Sequence, residues 1–184
     1  MIEEALHIKL KFTSVLFGLI LILAACSGQS ETSTENQLDS LKENYPEVKT
    51  ELEKLPEEFR SEVTVPDMET IPLDINDVEA VAETKFEPYG IDVYYAEDEK
   101  RLNVMVKDQK EIDSSIEETN QELDHDMKGF YSEAEDGHLL TITWVSQNEN
   151  VLYKVVGFTP SGEASAFTKE DMVEIANSII QQRK

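Results

Sequence analysis

Few residues in this chain could do covalent or metal chemistry. The histidines are His7, His125 and His138, and the single cysteine is Cys26. Asp124-His125-Asp126 gathers side chains that bind metals or relay protons. Consecutive side chains do not converge on one point in regular structure, and no second His or Cys stands at ligand spacing. The triplet therefore reads as a solvated acidic loop. His138 follows a turn signal and is expected at the surface. Asp74, Asn76 and Asp77 carry oxygen donors at calcium-loop spacing, but the central glycine and the distal glutamate are missing. Glu133, Glu135 and Asp136 form a charge run at a hairpin end, which reads as a solvated face. No serine lies in a nucleophile-elbow sequence. Nothing here names a reaction, a metal or a cofactor, so the expected catalytic, metal and cofactor assignments are none.

Cys26 is the exception, because of what precedes it. Lys9 and Lys11 form a short positive flank, and Phe12 to Leu23 is apolar except for Thr13, Ser14 and Gly18. That run is too short for a stable spanning helix, which needs about 20 residues. A charged flank, a short apolar core and small residues are the parts of an export signal. Leu23-Ala24-Ala25-Cys26 resembles the lipobox of a bacterial lipoprotein. The resemblance implies cleavage between Ala25 and Cys26 and a diacylglyceryl group on the Cys26 thiol. It also implies lipid anchoring to the extracytoplasmic face of the cell membrane. Two acyl chains suit the purpose: each buried methylene contributes about 0.8 kcal/mol, and one chain alone anchors only marginally. Glu3 and Glu4 put acid into a flank that should be basic, so translation is expected to start at Leu6.

The expected organisation is a signal peptide over 1–25, the lipidated cysteine and a flexible tether over 26–37, and one extracytoplasmic domain over 38–184. The tether, Ser27 to Gln37, has no apolar residue to bury. The stretch from 38 onward is long enough for one domain with a real core. The formal net charge is −23. Such a surface repels nucleic acid and anionic headgroups and attracts cations or basic partners. With Cys26 alkylated no thiol is left for a disulfide or for thiol catalysis.

The domain divides into a helical segment over 38–60 and a sheet with a C-terminal helix over 62–182. Leu38, Leu41, Tyr45, Val48, Leu52 and Leu55 recur at steps of three and four, one apolar helix stripe. Pro46 breaks it near Asn44, which predicts a second helix from Pro46 to Leu55. Beyond Pro66 and Pro72 the texture turns to strands. Val78 to Glu87 is expected as one. Ile91, Val93 and Tyr95 pair with Leu102, Val104 and Val106 as a hairpin with one buried face. Ile112 to Met127 reads as a loop or a loosely held helix. Strands then start at Gly129-Phe130-Tyr131, run through Leu140, Ile142 and Trp144, and end with Val151 to Phe158; Asp136-Gly137 supplies one turn. Thr168 with Glu170 and Asp171 reads as a helix N-terminus. Met172, Ile175, Ala176 and Ile179 are the stripe of that last helix, which should cross the apolar face of the sheet.

This order of elements, with a tryptophan in the middle of three late strands and a capped helix through Ile175-Ala176-Asn177-Ser178-Ile179, is similar to an uncharacterised domain. That domain recurs in lipoproteins and anti-sigma-factor tails of low-GC Gram-positive bacteria. In outline it resembles the lipoprotein-carrier superfamily. The resemblance implies an α+β fold: a curved antiparallel sheet of five to seven strands with N-terminal and C-terminal helices on one face. The family carries no agreed catalytic residues to transfer.

The expected function is a membrane-anchored, non-enzymatic binding or accessory module. Its partners are the cytoplasmic membrane, through Cys26, and an envelope protein, with no nucleic acid. A second reading is a carrier that holds an acyl chain between sheet and helices, lined by Trp144, Ile142 and Leu140. An envelope hydrolase ranks last. A docking module should show an exposed apolar patch, a carrier a lined apolar cavity, and an enzyme polar groups converging in a cleft.

Overall fold

Alternating apolar and polar side chains from Asp77 to Phe158 give an antiparallel sheet with one face buried, because successive residues of a strand point to opposite sides. The computed structural model describes residues 37–85, 88–109, 118–148 and 150–183. The chain divides into two units between Ser33 and Thr34. The first unit, with the stretch read as an export signal, Ala25 and Cys26, lies outside the described residues.

The second unit opens with three short helices: α1 (Gln37–Asn44), α2 (Pro46–Leu52) and α3 (Glu57–Arg60). Pro46 does break the stripe, sitting at the start of α2 where its missing N–H costs nothing. The second helix ends at Leu52 rather than Leu55, yet Leu55 is still buried with Val48, Leu52 and Phe59. Burial here depends on where the chain is led, not on helical hydrogen bonding.

The strands are β1 (Asp77–Glu83), β2 (Gly90–Glu97), β3 (Lys100–Asp108), β4 (Gln121–Glu122), β5 (Lys128–Glu133), β6 (Leu139–Val145) and β7 (Val151–Phe158). They form one seven-stranded sheet in the order β1-β2-β3-β7-β6-β5-β4, with every pair antiparallel. The architecture is α+β with an open sheet. Of the stretch read as a loop or loose helix, 112–117 lies outside the described residues; beyond it the chain forms β4 and a 3-10 turn at Asp124–Asp126.

The final helix, α4 (Lys169–Gln181), begins with a reciprocal cap: Asp171 N–H donates to Thr168 Oγ1 at 3.2 Å, and Thr168 N–H donates to Asp171 Oδ2 at 2.7 Å. Met172, Ile175, Ala176 and Ile179 are fully buried against the sheet. Val106, Tyr153, Trp144 and Gly129 are register partners along one row beneath the helices. Gly157 marks the closest approach: a Cβ there would stand 2.8 Å from Phe167 Cγ.

Both sheet edges are blunted by side chains. Glu51 of α2 accepts the outward N–H of Ala82 on β1 at 3.1 Å. That bond and Lys54 hold the Glu51 carboxyl below its usual range, Lys54 contributing most. At the other edge Asn120 acts as a substitute strand, accepting from Tyr131 N–H at 2.7 Å and donating to Tyr131 O at 2.8 Å. An unprotected edge would offer these groups to another chain.

Candidate functional site

The residues singled out for chemistry are dispersed. In the Asp124-His125-Asp126 turn, Asp124 is tied to α4. Its N–H donates to Asn177 Oδ1 at 2.9 Å and its Oδ2 accepts from Gln181 Nε2 at 2.6 Å. His125 and Asp126 adopt φ of 58° and 59° and are exposed. Among the described residues no group of three His, Cys, Asp or Glu side chains is placed to hold a metal ion. Asp74 and Asn76 are occupied in capping the β2–β3 turn: Asp74 N–H donates to Glu97 Oε2 at 3.1 Å, and Asn76 Nδ2 to Asp98 Oδ1 at 3.4 Å. Glu133 accepts from the Tyr131 hydroxyl at 3.0 Å, while Glu135 and Asp136 are exposed. With burial as the larger cause and the Glu133 carboxylate second, the Tyr131 hydroxyl is pushed up to about 12. His138 departs from its expected exposure: it is half-buried beside β7, where its carbonyl accepts from Thr159 N–H at 2.9 Å.

A polar cleft of about 380 Å³ opens at one end of the sheet–helix sandwich, and its walls include Glu62, His125, Trp144, Ser146, Asn148 and Arg183. Trp144 is 1% exposed and forms its floor, stacked on Tyr153 with centroids 5.1 Å apart and rings 9° from parallel. The Tyr153 hydroxyl donates to Glu62 O at 2.9 Å and accepts from Arg183 Nη1 at 3.0 Å. Burial pushes that hydroxyl above its usual range, against the opposing influence of Arg183. Arg183 also pairs with the Glu62 carboxylate, which accepts from Asn148 Nδ2 at 3.2 Å. Ser146 Oγ gives its proton to Asn148 Oδ1 at 2.6 Å and accepts from Val151 N–H at 3.1 Å. These groups satisfy one another. The serine proton goes to an amide rather than to a base, so the arrangement ties the end of α4 to the sheet and does not activate a nucleophile. Leu140 and Ile142 lie on the same sheet face as Trp144, sealed in the core.

Among the described residues, no helix covers the other face of the sheet. Across β3, β7, β6 and β5 its rows read Arg101–Phe158–Leu139, then Asn103–Val156–Thr141–Ser132, then Met105–Lys154–Thr143–Phe130, then Lys107–Leu152–Val145, with Lys128 of β5 paired to Glu122 of β4. Leu139 and Phe158, register partners, are each 42% exposed. Toward β1 and β2 the same face turns acidic, through Asp77, Glu79, Glu83 and Asp92. Sequence reasoning placed Thr141, Thr143 and Val145 on this side but did not single out Lys154, Leu139 or Phe158. The available signal was large apolar residues standing in the polar phase of β6 and β7.

No family model, no curated protein and no solved structure matches this chain.

Proposed function

We propose that the chain is a membrane-anchored extracytoplasmic lipoprotein that works as a non-enzymatic binding module, docking a protein partner on the uncovered face of its sheet. One observation carries this reading. The two faces of a single sheet are treated differently. The helix side is closed, with Trp144, Ile142, Val155, Met172 and Ile175 all at 0–1% exposure. The opposite side leaves Leu139 and Phe158 in water. A carrier needs room between sheet and helices, whereas a docking module needs exposed apolar surface. The anchor rests on Leu23-Ala24-Ala25-Cys26, and the polar tether ahead of α1 supports it by giving the domain reach from the bilayer.

The test is crosslinking and purification of the full chain from native membranes, beside Cys26→Ser. The wild-type chain should partition with the membrane and bring down a protein. The serine variant should lose lipid labelling and move to the soluble fraction with an unchanged circular dichroism spectrum. Membrane partitioning by the variant would sink the anchor. Lipid co-purifying in place of protein would sink the docking role.

A further inference from the structure

Within that docking reading, on which this inference rests, we propose the chemistry of the partner. The face of β5, β6 and β7 receives an acidic, apolar segment of another protein, and a partner carboxylate sits on Lys154.

Among the described residues, Lys154 stands in surroundings without a counter-charge. Met105 and Thr143 are its register partners on either side. Leu152 and Val156 flank it along β7 on the same face. On the diagonals are Asn103, Lys107, Thr141 and Val145. No acid is among them, in a chain with 39 acidic and 16 basic residues. Lys154 is half-buried, and among the described residues it makes no ion pair within 4.0 Å. Lys107 is already paired with Glu83 at 3.2 Å, but the exposed Arg101 and Lys128 have no such partner among the described residues. Around Lys154 the face is thus apolar and without an acid among the described residues, while its acids stand at the two edges, Asp77, Glu79, Glu83 and Asp92 on β1 and β2 and Glu122 on β4 beside Lys128.

Half-burying a cation in apolar surroundings weakens its hydration without supplying a counter-charge. A carboxylate brought in by a partner supplies it, and water excluded by Phe158, Leu139 and Val156 strengthens the pair. A second copy meets like charge in two of its face-to-face stackings. Stacked face to face about an axis along β7, the copies set Lys154 against Lys154. About an axis across the strands, they set the acids of β1 and β2 against themselves. An anionic bilayer is opposed by those same acids and by the net charge of −23.

The experiment uses the full lipidated chain in native membranes with a photocrosslinking amino acid in place of Thr143, which faces outward beside Lys154, and sequences the crosslinked peptides by mass spectrometry. The expected adduct is a protein segment with Asp or Glu flanked by apolar residues. Its yield should fall at least fivefold in Lys154→Glu and recover in Lys154→Arg, with both variants melting like the parent. An adduct to a segment without acids, or a yield indifferent to Lys154→Glu, overturns the proposed chemistry and leaves the docking role standing. An adduct to lipid or to a second copy overturns the identity of the occupant. If Thr143 gives no adduct but the same probe at Asn177 on α4 captures a protein, docking survives and this face is wrong. Silence at both positions removes the proposal together with the docking role.

Discussion

The two faces of the sheet are built from the same strands, so their difference is one of residue phase alone. On β7, Val151, Tyr153, Val155 and Gly157 point to the helices and are buried, while Leu152, Lys154, Val156 and Phe158 point away and keep partial or full exposure. The helix side is closed by shape: Gly157 makes room for Phe167, and Tyr153 stacks on Trp144. The open side also carries large apolar residues, yet no helix among the described residues packs on it. Stability is therefore expected to depend on one face and recognition on the other.

The largest effect should come from Ile175→Asp. Ile175 is fully buried at the centre of the α4 stripe. An unpaired carboxylate there costs several kcal/mol, comparable with the whole stability of a domain. The soluble domain, expressed from about residue 37, should lose its cooperative melt by circular dichroism. A transition like that of the parent would mean that α4 does not close the helix side, and the contrast between faces would fail.

A sharper and smaller test compares neighbours on one strand. Gly157→Ala adds a Cβ 2.8 Å from Phe167 Cγ and 3.2 Å from Met172 Sδ, both atoms held in the core. Overpacking of this kind costs about 1–3 kcal/mol, although alanine for glycine in an unobstructed strand is normally favourable. Phe158→Thr, one residue on and facing the other way, should cost less than Gly157→Ala. Denaturant midpoints of the two variants decide the matter, and the reverse order would place the tight packing on the open side.

Much of this contrast was legible in the sequence, and the residues show why. Alternation at 91–95 and 102–106 gave the first hairpin and its buried face, because a half-buried strand has a two-residue period that few other structures imitate. Thr168 and Asp171 announced α4, because a helix start needs its free N–H groups capped. Trp144 could be assigned to the helix side from its phase with Leu140 and Ile142. The cleft beside it could not, since Glu62, Ser146, Asn148 and Arg183 come together only through the tertiary fold. Asn120 was equally unreadable as an edge guard, because an asparagine in an acidic stretch carries no period. The insertion of β7 between β3 and β6 had no local signal either; sequential pairing is the commoner arrangement.

The smallest expected effect concerns Asp92, the point at which the open face breaks its own pattern. It lies on the uncovered side of β2 yet is only 8% exposed, and among the described residues its Oδ1 has no hydrogen-bond partner. Burial raises its carboxyl above the ordinary value of 3.8; Glu83 pushes the same way, and Lys107 and Asn103 oppose. With the folded value above the unfolded one, the native state holds its proton more tightly. The contribution of Asp92 to stability is then fully present below about 3.8, is lost as pH rises through the folded value, and stays lost at neutral pH. Asn cannot ionise, so Asp92→Asn should remove that loss. Melting temperatures measured from pH 3 to pH 7 should show the variant gaining on the parent through the acid range and holding a constant lead above it. A variant that instead falls behind as pH rises would mean that Lys107 and Asn103 stabilise the carboxylate by more than burial penalises it. The acidic half of the open face would then be a settled ion-pair network, which would widen the contrast with the unpaired Lys154.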